Sequence, residues 1–216
     1  MTDHTAISRR ALFATTGAAA LAPLTPLAQA APVATRTCFF NGLQPVVLTI
    51  SGPGIEPNRG GLDAARDRML VQQGNRFDAA WSCSLDAIAS LQERRMRIRI
   101  EYDDARHEIG GPLLETVLQA AGLDIAKAMR GGHWIAMQAV DGYRVQMPLA
   151  QAMRWGFVVA TQMDGQPLFT GGLGPLWTIY DAQAIAELAD TPFKSRFAKA
   201  AWGLYYLHIS EQQPKA

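Results

Sequence analysis

Gly171-Gly172-Leu173-Gly174-Pro175-Leu176-Trp177-Thr178-Ile179-Tyr180-Asp181 joins a glycine-rich loop to a short strand. Leu176 to Tyr180, apolar, β-branched and aromatic, reads as a strand. The glycines let backbone N–H groups approach an anion such as a phosphate or an oxyanion, which makes Gly172 and Gly174 candidate binding residues. The loop lacks the Lys-Ser/Thr end of a nucleotide P-loop and does not open a helix as a dinucleotide fingerprint does. Trp177 and Tyr180 serve either as core or as a ligand platform.

Short strands and turns surround this stretch. Phe157 to Met163 reads as a strand ending at the turn Asp164-Gly165. Trp134 to Val140 and Tyr143 to Met147 flank Asp141-Gly142, a hairpin signal. Trp202 to Ile209 alternates apolar faces, and Gln44 to Ser51 is a β-branched run closed by Gly52-Pro53-Gly54. Met96 to Tyr102 alternates Met96, Ile98, Ile100 and Tyr102 with Arg97, Arg99 and Glu101, the pattern of a half-buried strand. Helices are predicted at 63–72, at 84–91 under a Ser84 cap, from Gly111-Pro112-Leu113-Leu114 to Ala121, and near 182–188 and 192–198. The tail after Ser210 is polar, and no fixed-period repeat stands out. The pattern predicts an α+β fold, a compact β-rich domain with a few helices.

The N-terminus reads as a leader. Ser8-Arg9-Arg10 precedes the alanine-rich run Ala11 to Leu21, and Ala28-Gln29-Ala30 is a small-x-small cleavage pattern. Paired arginines at this place are the address of the twin-arginine export route, which carries folded proteins. The expected organisation is a signal peptide at 1–30, a segment at 31–45, a domain at 46–210 and a polar tail at 211–216. The apolar run is shorter than the ~20 residues a membrane helix needs, so no stable membrane insertion is expected and the mature protein is placed in the periplasm or another extracytoplasmic space. Loss of Asp3, Arg9 and Arg10 with the leader leaves 18 basic and 18 acidic residues. That balance gives no global pull toward nucleic acid. Arg94, Arg95, Arg97 and Arg99 sit among Glu93, Glu101, Asp103 and Asp104 and read as a solvated face. Cys38 and Cys83 form either a disulfide or two separate buried thiols.

Catalytic constellations are scarce. No Gly-x-Ser-x-Gly elbow occurs. His107 falls in a polar stretch beside Asp103, Asp104 and Glu108 and reads as a solvated loop. Asp141 and Asp164 precede glycines, and turn formation explains both.

The order of Val-Leu-Thr-Ile-Ser-Gly (47–52), Gly-Pro-Leu-Leu (111–114), Ala-Val-Asp-Gly-Tyr (139–143), Met-Asp-Gly-Gln-Pro-Leu (163–168) and Gly-Pro-Leu-Trp-Thr-Ile-Tyr-Asp (174–181) resembles the sulfite-oxidase-type molybdopterin-binding oxidoreductase domain, in its short single-domain bacterial form. The resemblance spans about Val46 to Ile209. It implies an α+β fold around a pterin pocket, a molybdenum–molybdopterin cofactor and oxidoreductase activity. It also implies that a cysteine thiolate at the end of the strand after the first core helix binds the molybdenum. Here that strand end reads Glu101-Tyr102-Asp103-Asp104, without cysteine. Catalytic relatives carry Gly-x-Pro-x-Arg in the glycine loop; this chain has Leu176 and Trp177 there. Glu101, Tyr102, Asp141, Tyr143, Gly172, Gly174 and Trp177 are the pocket residues the resemblance implies. Two functions stay open: an exported molybdopterin-dependent oxidoreductase, with Glu101, Asp103, Asp141 or Tyr143 helping substrate, or a non-catalytic module on the same scaffold that binds a small-molecule ligand or docks a partner. The substrate and the redox partner are not specified.

Overall fold

The computed structural model describes residues 44–214. The predicted leader, Cys38 and the last two residues lie outside them.

The chain enters through β1 (Val46–Ser51), whose last four residues are buried. A turn-rich excursion follows, holding β2 (Arg59–Gly60) and α1 (Arg68–Gln72). Next come β3 (Ala79–Ser84) and α2 (Leu85–Ala89), where the Ser84 hydroxyl accepts the Ala87 N–H as an N-cap. A hairpin of β4 (Glu93–Arg99) and β5 (Arg106–Pro112) leads to α3 (Leu114–Ala120) and α4 (Ile125–Arg130), the latter capped by Asp124. The second hairpin, β6 (Trp134–Ala139) and β7 (Arg144–Pro148), runs into α5 (Leu149–Trp155), which stops at Gly156 in the left-handed conformation. The chain finishes with β8 (Val158–Ala160), β9 (Gln162–Met163), β10 (Gln166–Pro167), β11 (Trp177–Ile179), 3-10 turns at Ala186–Leu188 and Phe193–Phe197, β12 (Ala201–Trp202) and β13 (Leu204–Ser210).

Three sheets result: a six-stranded one in the order β2-β3-β1-β13-β6-β7, a four-stranded one in the order β10-β9-β5-β4, and a three-stranded one in the order β12-β11-β8. In the first, β1 and β13 pair in parallel and every other contact is antiparallel. Leu48, Ile50, Ile135, Met137, Leu207 and Ile209 from that sheet share one buried core with Val117 and Leu118 of α3 and with Trp177 and Ile179 of β11. This is the α+β architecture the sequence predicts.

Several boundaries differ from the expectation, each for a local reason. The strand predicted at 96–102 runs from Glu93 to Arg99, and Glu101 and Tyr102 belong to the turn beyond it. Asp104 adopts a positive φ of 64° there, and Ile100 N–H bonds the Ala105 carbonyl at 3.1 Å to close the turn. Gly111 and Pro112 pair with Arg94 and Glu93 in the β4–β5 ladder, so the helix predicted from Gly111 begins only at Leu114. His107 sits within β5, not in a loop. The helix predicted at 63–72 is regular only from Arg68, because Asp63 turns its carboxylate back onto the N–H groups of Ala65 and Arg66.

Candidate functional site

Two of the residues singled out in the sequence meet across the fold. Trp177 lies in β11 between Ala160 of β8 and Trp202 of β12 and is 1% exposed. The turn after β4 brings Tyr102 over it, with ring centroids 6.4 Å apart and planes inclined by 44°. Tyr102 itself is 54% exposed. Its ring therefore faces water on one side and the indole on the other. The Trp177 Nε1–H has no hydrogen-bond acceptor among the described residues, a deficit that costs about 1–3 kcal/mol.

A carboxylate and two more phenols adjoin this stack. Partial burial raises the Glu101 pKa, and a hydrogen bond from Tyr102 offsets part of that rise. Burial, then the Glu101 charge, pushes the Tyr102 phenol well above its ordinary value. Tyr143 is shifted upward by burial and by the charges of Glu101 and Asp141, and its hydroxyl donates to the Ala198 carbonyl at 2.5 Å. Tyr180, which the sequence left as core or platform, donates to the Arg196 carbonyl at 2.6 Å and accepts from the Lys199 N–H at 3.2 Å. The cluster thus presents neutral phenols and one carboxylate. It can give hydrogen bonds; it contains no nucleophile activated by a base. Arg99, the nearest cation along the chain, is held by Asp104 and lies 4.6 Å from the Phe193 ring.

The remaining pocket candidates are placed differently. Asp141 caps the β6–β7 turn, where its Oδ1 accepts the Tyr143 N–H at 2.8 Å. The amides of Gly172 and Gly174 both donate to the Phe169 carbonyl at 3.0 Å, so these donors are spent inside the loop rather than held out for an anion. Gly174 has a steric role: a Cβ there would stand 2.4 Å from the Leu168 carbonyl oxygen. Cys83 is buried in β3 opposite Leu48. Among the described residues no group of three or more His, Cys, Asp and Glu side chains is arranged to hold a metal ion.

His107 is the clearest departure from the sequence reading. Its Nδ1 lies 2.5 Å from Asp164 Oδ2 and its Nε2 2.9 Å from Asp103 Oδ2. Asp103 belongs to the turn that carries Tyr102, and Asp164 to the turn between β9 and β10. The hydrogen bond to Asp164 leads in raising the His107 pKa, and Asp103 adds to it. Asp164 is lowered by His107 and Asp103 by the Ala105 N–H, then by His107. A raised histidine stabilises the fold fully below its unfolded value near 6.5 and loses that contribution as pH rises through the folded value. The lowered carboxylates contribute above their unfolded value near 3.8 and lose it as pH falls through their folded values. Both carboxylates are about half exposed, so water screens the gain. Urea unfolding of the His107→Ala variant should therefore show its largest deficit against wild type at about pH 4–6.5, shrinking in more alkaline buffer. A deficit that does not change with pH would contradict the paired imidazolium.

A further set escaped the sequence reading. Ser51 Oγ lies 2.6 Å from the Tyr206 hydroxyl and 2.9 Å from His208 Nδ1. The pair looks like a nucleophile and base, but Ser51 is fully buried. Burial, then the Arg144 charge, lowers the His208 pKa. The β1–β13 register, Ser51 opposite His208, brings these residues together, and no local motif marks it. The set satisfies buried polar groups in the sheet.

Neither a protein-family model nor a curated protein sequence matches the chain. Solved structures do, among them the sulfane dehydrogenase SoxCD from Paracoccus pantotrophus, with a TM-score of 0.50 and 12% identity. The match covers 78% of this chain and 39% of that one, so the described fold corresponds to about two fifths of the larger chain. The likeness is one of fold, and it agrees with the α+β architecture that the sequence predicts.

Proposed function

We propose that the chain is a non-catalytic, extracytoplasmic binding module that keeps the scaffold of a molybdopterin oxidoreductase. The observation that carries this reading is the seating of Tyr102 on the buried indole of Trp177. In the resemblance these two positions are the thiolate that binds molybdenum and the arginine beside the cofactor or its anion. Here they pack against each other. A protonated phenol, its pKa raised further here, does not replace a soft thiolate. An indole offers no charge to an anion, and Glu101 adds an opposing one. The residues present do not fit a molybdenum pterin.

The leader pattern at Ser8-Arg9-Arg10 and Ala28-Gln29-Ala30 supports export. Among the described residues, no helix is long and apolar enough to cross a membrane. The competing reading is an exported oxidoreductase that loads molybdenum before translocation. Metal analysis of protein recovered after export from a molybdenum-replete host separates the two. The binding module is expected to begin at Ala31 by mass spectrometry and to hold no stoichiometric molybdenum and no fluorescent pterin. One molybdenum per chain with a released pterin would establish the oxidoreductase instead.

A further inference from the structure

A cleft of about 1120 Å³ opens beside β1, α1 and the 168–175 loop, and neither Tyr102 nor Trp177 lines it. Six large hydrophobic side chains are exposed among the described residues, and four of them, Val46, Met69, Val140 and Phe169, line this one cleft. Phe169 is 72% exposed although its loop is fixed by the bonds from Gly172 and Gly174 to its carbonyl. An ordered loop that holds a phenyl ring in water leaves apolar surface uncovered, the mark of a contact site. The volume exceeds the ~300–1,000 Å³ typical of pockets for compact ligands, which favours a long occupant.

The charges on the rim are not equivalent. Asp67 is taken by Arg59 through two hydrogen bonds of 3.1 and 2.5 Å. Asp63 Oδ1 accepts the N–H groups of Ala65 and Arg66. Arg66 also lines the cleft; its guanidinium makes no close ion pair among the described residues, although its charge acts on Asp63 and Asp67. We propose that this cleft binds long-chain carboxylates, with the hydrocarbon against Val46, Met69, Val140 and Phe169 and the carboxylate on Arg66. A guanidinium meets a carboxylate with two parallel hydrogen bonds, and the apolar walls take the chain out of water.

The inference gives the binding-module reading a ligand class. The two fail separately, because binding is measured on protein of known molybdenum content. The test is calorimetric titration of the exported chain with laurate, dodecanol and dodecyltrimethylammonium, each below its micelle concentration. Wild type is expected to bind one laurate, more tightly than either other probe. Arg66→Glu should weaken laurate about ten-fold, the loss of a charge-assisted contact, and leave dodecanol nearly unchanged. Phe169→Ser should weaken laurate and dodecanol together. Both side chains are exposed, and circular dichroism checks that the variants fold. The proposal is overturned by non-saturable laurate uptake, by equal or tighter binding of the cation, or by unchanged laurate affinity in Arg66→Glu. Self-association abolished by Phe169→Ser would also overturn it, since a second copy would then own the cleft.

Discussion

Replacing Trp177 with alanine is expected to lower the unfolding free energy by about 3–5 kcal/mol, the range for truncating a buried large aromatic residue. The indole is 1% exposed and sits in a strand paired on both sides, so the space it vacates cannot collapse without moving β8 or β12. Trp177→Phe sharpens the argument. It keeps much of the buried area and removes the N–H that has no acceptor, so its cost should stay below about 1.5 kcal/mol. Urea titrations of the three proteins give the comparison. If Trp177→Ala unfolds at the same denaturant concentration as wild type, the indole is not part of the core and the filled-pocket account fails.

The second large effect belongs to the glycine loop. A methyl group on Gly174 would lie 2.4 Å from the Leu168 carbonyl oxygen and 2.5 Å from its carbon, contacts that only a backbone shift relieves. Gly174→Ala should cost about 1–3 kcal/mol. At Gly172 the nearest atom is the Phe169 oxygen at 3.4 Å, and Gly172→Ala should change stability by no more than about 0.5 kcal/mol. Thermal melts of the two variants distinguish a loop built for close packing from one built to cradle an anion. Equal, small effects at both positions would count against the packing role.

These predictions also mark how far the sequence could be read. The β6–β7 hairpin was legible because Asp141-Gly142 punctuates two apolar runs, and β13 because its faces alternate. β3 was not: Ala79–Ser84 has one large side chain, and its place between β1 and β2 comes from pairing distant in sequence. β5 was missed because Arg-His-Glu-Ile-Gly-Gly-Pro reads as a polar, glycine-rich loop, although it is the partner that gives β4 its register. The short helices α4 and α5 are brief amphipathic stretches that packing rather than propensity stabilises.

The site divides in the same way. The resemblance had implied that Tyr102 and Trp177 share one pocket, whereas periodicity put Tyr102 on a strand it does not occupy. Composition does not show where an amide points, and those of Gly172 and Gly174 turn to the Phe169 carbonyl. The clamp on His107 depends on Asp164, which is 57 residues away in sequence, and proximity in sequence had suggested only a solvated loop.

The direct test of the filled pocket is hydrogen exchange at the Trp177 indole. The chain has five tryptophans, and the Nε1–H signal missing from the Trp177→Phe spectrum identifies the relevant one. A side chain sealed between Tyr102 and the core should keep that proton through hours in deuterated buffer and lose it faster in Tyr102→Ala. Exchange complete within the dead time of the wild-type experiment would mean that solvent reaches the indole, and that the pocket is open after all.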